Sequence, residues 1–199
     1  IYTPPPGDSE LAMSFIGNGN NMLHLAFDFS LFFTNWNAKK YHKVINNSYK
    51  ALPNTGWPCF AISNHDLGRS IKRWPSCFNK YKKAKILAVM LVTLKGTPFI
   101  YYGDEIGMEN VNIPREQIRD GYGKIFYPLY KGRDRARTPM QWNNQIYAGF
   151  TKAKPYLPIH ANYKKINVEN QQNKNLSILS LYQNLIKIRK KHKALQMGD

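Results

Sequence analysis

Residues 80–102, KYKKAKILAVMLVTLKGTPFIYY, contain the pattern that decides the fold, a helix followed closely by a buried strand. The helix is predicted over Lys80 to Leu94, because apolar residues recur there at helical spacing. That stripe consists of Ala84, Leu87, Ala88, Leu91 and Leu94. Gly96 ends the helix, since glycine readily takes the backbone conformation of a helix C-terminus. The apolar run Thr97 to Tyr102 is then predicted to be a strand.

The same alternation extends to both sides of this stretch. Strands are predicted at Met22–Phe29 and Pro58–Ser63, and a helix at Ala38–Leu52 that Pro53 stops. A last helix is predicted at Ser177–Lys191. Strands that alternate with helices at this spacing predict an α/β fold with a parallel sheet. The strands are almost continuously apolar, which is typical of strands buried on both faces.

Two architectures fit this pattern, a doubly wound sheet and a (β/α)8 barrel. Gly17-Asn18-Gly19 superficially resembles a dinucleotide-binding loop, but Met22 occupies the place of the third glycine. The segment also precedes a strand, whereas a dinucleotide loop follows one. A barrel carries its chemistry in the loops that follow its strands, so functional residues are expected in those loops.

The composition excludes several classes of protein. The 199 residues are 43% hydrophobic and 14% aromatic, which is too rich in core-forming residues for a disordered chain. The longest nearly apolar run, Ile86 to Leu94, is too short to span a membrane. The two cysteines, Cys59 and Cys77, do not form a metal-ligand spacing. We therefore expect no disulfide scaffold, no metal site and no membrane partner.

The net charge of +17 raises the question of a nucleic-acid partner. The basic residues are mostly lysines spread along the chain, and pairs such as Lys39-Lys40 and Lys82-Lys83 fall on the predicted outer faces of helices. No basic stripe alternates with aromatic residues, and no zinc-finger spacing is present. We expect a solvated lysine-rich surface and no nucleic-acid partner.

The first candidate site follows the second predicted strand, where Asn64-His65-Asp66 is succeeded by Arg69. An imidazole donates to sugar hydroxyls, and a carboxylate stabilises developing positive charge, so the cluster suits a polyhydroxyl ligand. The alternative is a simple turn, which Asn and Asp favour. The spacing by itself leaves both interpretations open.

A second group follows the third strand. Asp104 and Glu105 are adjacent carboxylates that point in different directions, so a structural role is favoured over an acid/base pair. The stretch of about 103–175 has little regular periodicity and is predicted to be a long loop. It contains aromatic residues throughout, which favours an ordered loop over an active face. Its arginines are candidates for holding a carboxylate or a sugar hydroxyl.

Several motifs taken together resemble the α-amylase family of glycoside hydrolases, in particular its α-glucosidase and oligo-1,6-glucosidase branch. The matching segments, in the family's order, are Tyr2-x-Pro-Pro, Glu10-Leu11, Phe27-x-Phe29, Asn64-His65-Asp66-x-x-Arg69, Gly96 to Met108, Arg133 to Trp142, Ala148-Gly149-Phe150, Tyr156-Leu157-Pro158, Asn167-Val168 and Leu181 to Lys190. Together they cover nearly the whole chain.

The resemblance implies a partial (β/α)8 TIM barrel made of roughly strands 6–8, their helices and the long loop after the last strand. It implies that residues 1–199 are the C-terminal portion of the barrel, with the helix at about 177–191 as its last. The N-terminal half of the barrel and a small C-terminal β-domain are expected to be absent. In this family Asp66 matches the carboxylate that stabilises the transition state, and His65 matches a histidine that binds the same sugar. Arg137 matches an arginine that closes the sugar pocket, and Arg133 is a further substrate-binding candidate.

The resemblance also implies what the chain lacks. The family's nucleophile and general acid follow strands four and five, and neither segment is expected within residues 1–199. Four other carboxylates are not expected to replace them: Asp8 and Glu10 in a Pro-rich approach loop, and Asp104 and Glu105, which match a non-catalytic pair of the family. The expected function is a fragment of a retaining α-glucosidase that acts on short α-linked gluco-oligosaccharides and is inactive by itself.

Two other classes of protein fit the same residues. A sucrose isomerase or trehalose synthase shares the scaffold, and so does a non-catalytic sugar-binding relative. No cofactor is expected, although calcium sites occur in the part of the family's barrel that is missing here. In this family, linkage preference depends largely on a position after the fourth strand, beside the nucleophile.

Overall fold

Three short parallel strands, hydrogen-bonded in the order β1-β2-β3, confirm the predicted parallel sheet. They are β1 Phe27–Asp28, β2 Cys59–Ala61 and β3 Thr97–Phe99. The computed structural model describes residues 8–18, 21–54, 56–73 and 79–198. Gly19, Cys77 and the Pro-rich opening with Tyr2 lie outside the described residues. The helices of the described part are α1 Ser9–Ser14, α2 Ser30–Phe33, α3 Ala38–Ala51, α4 Lys80–Thr93, α5 Gly121–Ile125, α6 Val168–Gln172, α7 Ile178–Lys191 and α8 Lys193–Met197.

The three long helices lie within one residue of their predicted bounds. Asn37 caps α3, since its side-chain oxygen accepts a hydrogen bond from the backbone N–H of Lys40 at 3.1 Å. On α4 the buried residues include Ala84, Leu87, Ala88 and Leu91, four of the five predicted for the apolar stripe. The recurrence of apolar residues about every 3.6 positions therefore predicted the positions of these helices correctly.

The strands are shorter than predicted. The predicted strand Met22–Phe29 pairs only at Phe27–Asp28, and Met22 and Leu23 are exposed. The prediction that every strand is buried on both faces is correct for β2 and wrong for β3, where Phe99 is 40% exposed. β3 is paired only with β2, and β1 likewise only with β2, among the described residues. An apolar run is thus necessary for a buried strand but does not fix how many of its residues pair.

The short helices α1, α2 and α8 were not predicted. The side chain of Asp8 caps α1 by accepting from the backbone N–H of Leu11 at 2.9 Å, and Glu10 lies within the first turn of that helix. The expectation of a loop is therefore wrong for Glu10, whereas Asp8 precedes the helix as its N-cap. Six helical residues are too few to show periodicity, so the capping aspartate was the only local signal.

The described chain forms two compact units. The first consists of residues 8–62, 89–100 and 185–198 and contains the sheet, and the second consists of Ser63–Ala88 and Tyr101–Asn184. In the first unit, Ala12, Met13, Ile16 and Ala26 form a buried cluster. The carboxylate of Asp28, 2% exposed, accepts from the hydroxyls of Ser9 and Ser48, so this buried charge is hydrogen-bonded.

The second unit contains the stretch predicted to be a long loop, which is more regular than expected. Besides α5 and α6 it contains short 3₁₀ turns at Asp104–Ile106, Arg115–Gln117, Asp134–Ala136, Ile146–Gly149 and Ala161–Lys164. Two buried apolar clusters support it, one of Val111, Ile113, Ile118 and Leu157 and another of Ile106, Met108 and Met140. These turns are too short for sequence periodicity, which is why they were not predicted.

Candidate active site

The candidate site begins at a tight turn that starts at Asn64, three residues beyond the end of β2. The side-chain oxygen of Asn64 accepts hydrogen bonds from the backbone N–H groups of Asp66 at 3.0 Å and Leu67 at 2.6 Å. Asn64 and Gly68 also pair as an antiparallel bridge, and Gly68 has a φ of +101°, which glycine adopts without strain. The turn interpretation of Asn64 is therefore correct, and this turn presents His65 and Asp66 to solvent.

The carboxylate of Asp66 is the centre of the site. Its Oδ1 accepts from Arg137 Nη2 at 2.8 Å and lies 3.4 Å from Arg133 Nη1. Its Oδ2 lies 3.5 Å from Nε2 of His65. The structure thus brings together the four residues selected from the sequence, His65, Asp66, Arg133 and Arg137. The two arginines are 67 and 71 residues away from Asp66 in the chain. The side chain of Asp66 is 46% exposed and can reach a ligand.

Hydrogen bonds to the side chain of Arg137 and to the preceding backbone carbonyl hold this residue in place. Its Nε donates to the carbonyl oxygen of His65 at 3.0 Å, so the guanidinium bridges that carbonyl and the Asp66 carboxylate. The preceding carbonyl, that of Ala136, accepts from Arg69 Nη2 at 3.0 Å and from the Tyr101 hydroxyl at 3.1 Å. The chain around Arg137 is therefore fixed before any ligand binds.

Arg69 is a buried arginine that stabilises the chain next to Arg137. It is 2% exposed, and its guanidinium lies 5.0 Å from the ring centre of Tyr101 and 4.6 Å from that of Tyr102. It also donates to the backbone carbonyl of Tyr102. The cation is thus compensated by carbonyls and aromatic faces. Burial raises the pKa of Tyr101 well above its ordinary value, so this hydroxyl stays protonated and donates.

Asp104 is buried, 7% exposed, which keeps it from direct contact with a ligand. Ser63 Oγ donates to its Oδ1 at 2.7 Å, and the same Oγ accepts from the backbone N–H of Ser70 at 2.9 Å. Burial raises the pKa of Asp104 to about 7, against the opposing effects of the Ser63 hydrogen bond and the charge of Arg69. Burial also raises the pKa of the neighbouring Glu105. These contacts favour the structural interpretation of the pair.

Arg137 also lines an open cavity of about 500 Å³. The residues around it are mostly apolar or aromatic: Tyr102, Glu105, Thr138, Pro139, Met140, Trp142, Phe150, Tyr156 and Leu157. Trp142, Phe150 and Tyr156 are each half-exposed or more. The site therefore combines a charged cluster at Asp66 with a neighbouring aromatic surface, and an apolar lining with a few polar groups is typical of small-molecule sites.

One residue that contacts the site was not selected from the sequence. The carboxylate of Asp120 accepts from Nη2 of Arg133 at 2.9 Å and from the backbone N–H of Arg133 at 2.9 Å. The two positions are 13 residues apart in an irregular stretch, so no local spacing signals their contact.

No group of three or more His, Cys, Asp or Glu side chains in the described ranges is arranged to hold a metal ion. Burial raises the pKa of the Cys59 thiol to about 12, so that cysteine is an unreactive core residue. Within the same described ranges, the helices are all too short or too polar to cross a membrane.

Comparison with known proteins identifies related chains. The family model "Alpha amylase, catalytic domain" matches residues 7–198. A probable α-glucosidase of Rhizobium meliloti is 33% identical over 198 residues, covering 97% of this chain and 36% of its own length. An oligo-1,6-glucosidase of Parageobacillus thermoglucosidasius is 38% identical over 186 residues, 82% of this chain and 32% of its own. The chain thus spans about a third of the length of these relatives.

Solved structures show the same likeness. The α-glucosyl transfer enzyme XgtA superimposes with a TM-score of 0.88 at 32% identity, over 96% of this chain and 35% of its own. The trehalulose synthase MutB of Pseudomonas mesoacidophila MX-45 superimposes with a TM-score of 0.83 at 29% identity, over 96% of this chain and 40% of its own.

Proposed function

Because the chain belongs to the α-amylase catalytic-domain family, and its fold is a fragment of a TIM barrel, we propose that it forms part of a retaining α-glucosidase. The proposed substrates are short oligosaccharides with a terminal α-linked glucose. The observation that carries the proposal is the Asp66 carboxylate, exposed to ligand, paired with Arg137 and Arg133 and adjacent to His65. The names of the relatives, α-glucosidase and oligo-1,6-glucosidase, support the same substrate class.

In this proposal Asp66 stabilises the positive charge that develops on the sugar ring as the glycosidic bond breaks. His65 is 62% exposed on its side chain and donates to a hydroxyl of the same ring. Arg137 and Arg133 hold the carboxylate in one orientation, so little reorganisation is needed in the transition state. By the family resemblance, Arg137 also helps to close the pocket around the terminal glucose.

Asp66 alone does not complete this chemistry. Retention requires a nucleophile and a general acid roughly 5 Å apart, and we propose that neither lies within residues 1–199. In this assignment β1, β2 and β3 correspond to barrel strands six, seven and eight, and α7 to the last barrel helix. The missing carboxylates, and any calcium site, belong to strands outside these residues. "Complete barrel" below means the chain together with those strands.

The product of the complete barrel tests the proposal. Proton NMR during cleavage of p-nitrophenyl α-glucoside should show α-glucose first, with β-glucose appearing only by mutarotation. Maltose and isomaltose should release glucose as well. First appearance of β-glucose, or no cleavage of any α-glucoside, would refute a retaining α-glucosidase.

A second candidate function is transfer or isomerisation of a glucosyl unit. It is favoured by the TM-scores of XgtA and MutB, whose names describe an α-glucosyl transfer enzyme and a trehalulose synthase. Sucrose discriminates between the two functions. A hydrolase releases glucose and fructose in equal amounts, whereas an isomerase forms a reducing disaccharide with little free glucose.

The isolated chain provides a further test. The three strands found among the described residues cannot close a barrel, so purified residues 1–199 should not hydrolyse p-nitrophenyl α-glucoside. Hydrolysis that disappears in Asp66→Ala would mean that the chain contains a complete catalytic set and would refute this assignment.

A further inference from the structure

Asp120 makes an unusually complete set of contacts with Arg133. The side chain of Asp120 is 1% exposed, whereas that of Arg133 is 37% exposed. Oδ1 of Asp120 accepts from Arg133 Nη2 at 2.9 Å and from Nε at 3.3 Å. Its Oδ2 accepts from the backbone N–H of Arg133 at 2.9 Å. One buried carboxylate therefore holds both the backbone and the guanidinium of Arg133.

These contacts determine where the remaining nitrogen of Arg133 points. A guanidinium is planar and rigid, so fixing Nε and Nη2 leaves Nη1 in a defined direction. That nitrogen lies 3.4 Å from Oδ1 of Asp66. We propose that Asp120 is a positioning residue, which orients Arg133 so that the Asp66 carboxylate is held between two arginines. The inference rests on the role proposed above for Asp66 and adds Asp120 to the machinery of that site.

Asp120 is itself held firmly enough for this role. Its backbone N–H donates to Oδ2 of Asp134 at 2.7 Å, and Asp134 is buried. A Cβ added at Gly132 would lie 2.9 Å from Oδ2 of Asp120, so the close approach of the carboxylate to this chain segment requires glycine. Burial by itself raises the pKa of Asp120, but the hydrogen bonds and charge of Arg133 outweigh it and keep that pKa below its ordinary value.

The effect should be on turnover and not on substrate affinity. Without the Asp120 charge, the partly exposed guanidinium of Arg133 turns toward solvent, and Asp66 keeps only Arg137. The lost contact is long and partly solvated, so we expect kcat to fall about fivefold, with KM within about twofold.

A double-mutant cycle in the complete barrel tests the proposal, with p-nitrophenyl α-glucoside as substrate. The variants are Asp120→Asn, Arg133→Ala and the two combined. Glu116→Gln is the matched control, since Glu116 is an exposed carboxylate in the same stretch. Thermal unfolding is measured for each variant. We expect each single variant to lose about fivefold in kcat, the double variant to lose no more than either, and the control to be unchanged.

Two results would overturn the inference. An Asp120→Asn loss that is equally large in the R133A background would mean that Asp120 acts through general stability. Unchanged kcat in a folded Asp120→Asn variant would mean that Arg133 needs no positioning. If Asp120→Asn does not fold, Arg133→Lys replaces it, because lysine keeps the charge but cannot make the Nε and Nη2 pair. The kcat of Arg133→Lys should then fall as much as that of Arg133→Ala. Full activity of Arg133→Lys would overturn the inference.

The same assays separate this inference from the proposed function. If Asp66→Asn leaves hydrolysis intact, the proposed function fails, and the role of Asp120 fails with it. If Asp66→Asn abolishes hydrolysis but the cycle is additive, the proposed function stands and only the positioning role is refuted.

Discussion

Replacing Arg137 by alanine removes two hydrogen bonds from the candidate site. Arg137 Nη2 donates to Asp66 Oδ1 at 2.8 Å, and Nε donates to the His65 carbonyl at 3.0 Å. A hydrogen bond to a charged group contributes about 1.5–3 kcal/mol net. The side chains of Arg137 and Asp66 are 33% and 46% exposed, so solvent screening places the value near the lower end, at about 1.5–2 kcal/mol.

That energy corresponds to a loss of roughly 10- to 30-fold in kcat/KM. Arg133→Ala should cost less, about fivefold, because its contact with Asp66 is longer, at 3.4 Å. The assay is hydrolysis of p-nitrophenyl α-glucoside by the complete barrel. Lys124→Ala serves as control, because it removes an exposed cation of α5 from the same unit.

Arg137→Lys separates the effect of the positive charge from that of the two hydrogen bonds. Lysine keeps the positive charge but cannot donate from two nitrogens to the carboxylate and the carbonyl at once. We expect it to recover only part of the loss in Arg137→Ala. A loss below twofold in Arg137→Ala, or a larger loss in Arg133→Ala than in Arg137→Ala, would refute the ranking derived from these distances.

Two further predictions concern stability. Because burial raises the pKa of Asp104 to about 7, the folded state keeps a proton that the unfolded state has lost, so this group's contribution to stability falls as pH rises from about 4 to about 7. The melting temperature of Asp104→Asn minus that of the parent should therefore be higher at pH 8 than at pH 5. An equal difference at both pH values would contradict the raised pKa of Asp104. Arg189 donates to the carbonyls of Val92 and Leu94, each at 2.8 Å, and to that of Gly96. Arg189→Met should destabilise the fold by about 3 kcal/mol in urea unfolding, and a change below about 1 kcal/mol would exclude a capping role for these contacts.

The sequence located the long helices and the parallel sheet because both depend on apolar periodicity. It did not locate the ends of the strands, since pairing depends on neighbours in space. Leu23 and Leu25 are exposed although the sequence placed them in a strand. Likewise α1 depends on the cap from Asp8 and contains only six residues, too few for a periodic signal.

The candidate site likewise has a part that could be predicted from the sequence and a part that could not. Asn64-His65-Asp66 follows a predicted strand, so its position could be inferred from chain order alone. The convergence of Arg133 and Arg137 on Asp66 spans 67 and 71 positions, and only the family resemblance indicated it. The supporting residues Arg69 and Asp120 act through buried contacts at a distance along the chain. No local pattern encodes such contacts.

The measurement that tests the account most directly is the activity of Asp66→Asn in the complete barrel. Asparagine has nearly the same shape as aspartate but cannot stabilise positive charge, so kcat/KM for p-nitrophenyl α-glucoside should fall by about a hundredfold or more. The melting temperature should change little, because Asp66 is 46% exposed and lies in a turn held by Asn64. Activity within threefold of the parent would contradict the assignment of Asp66 as the carboxylate that stabilises the transition state.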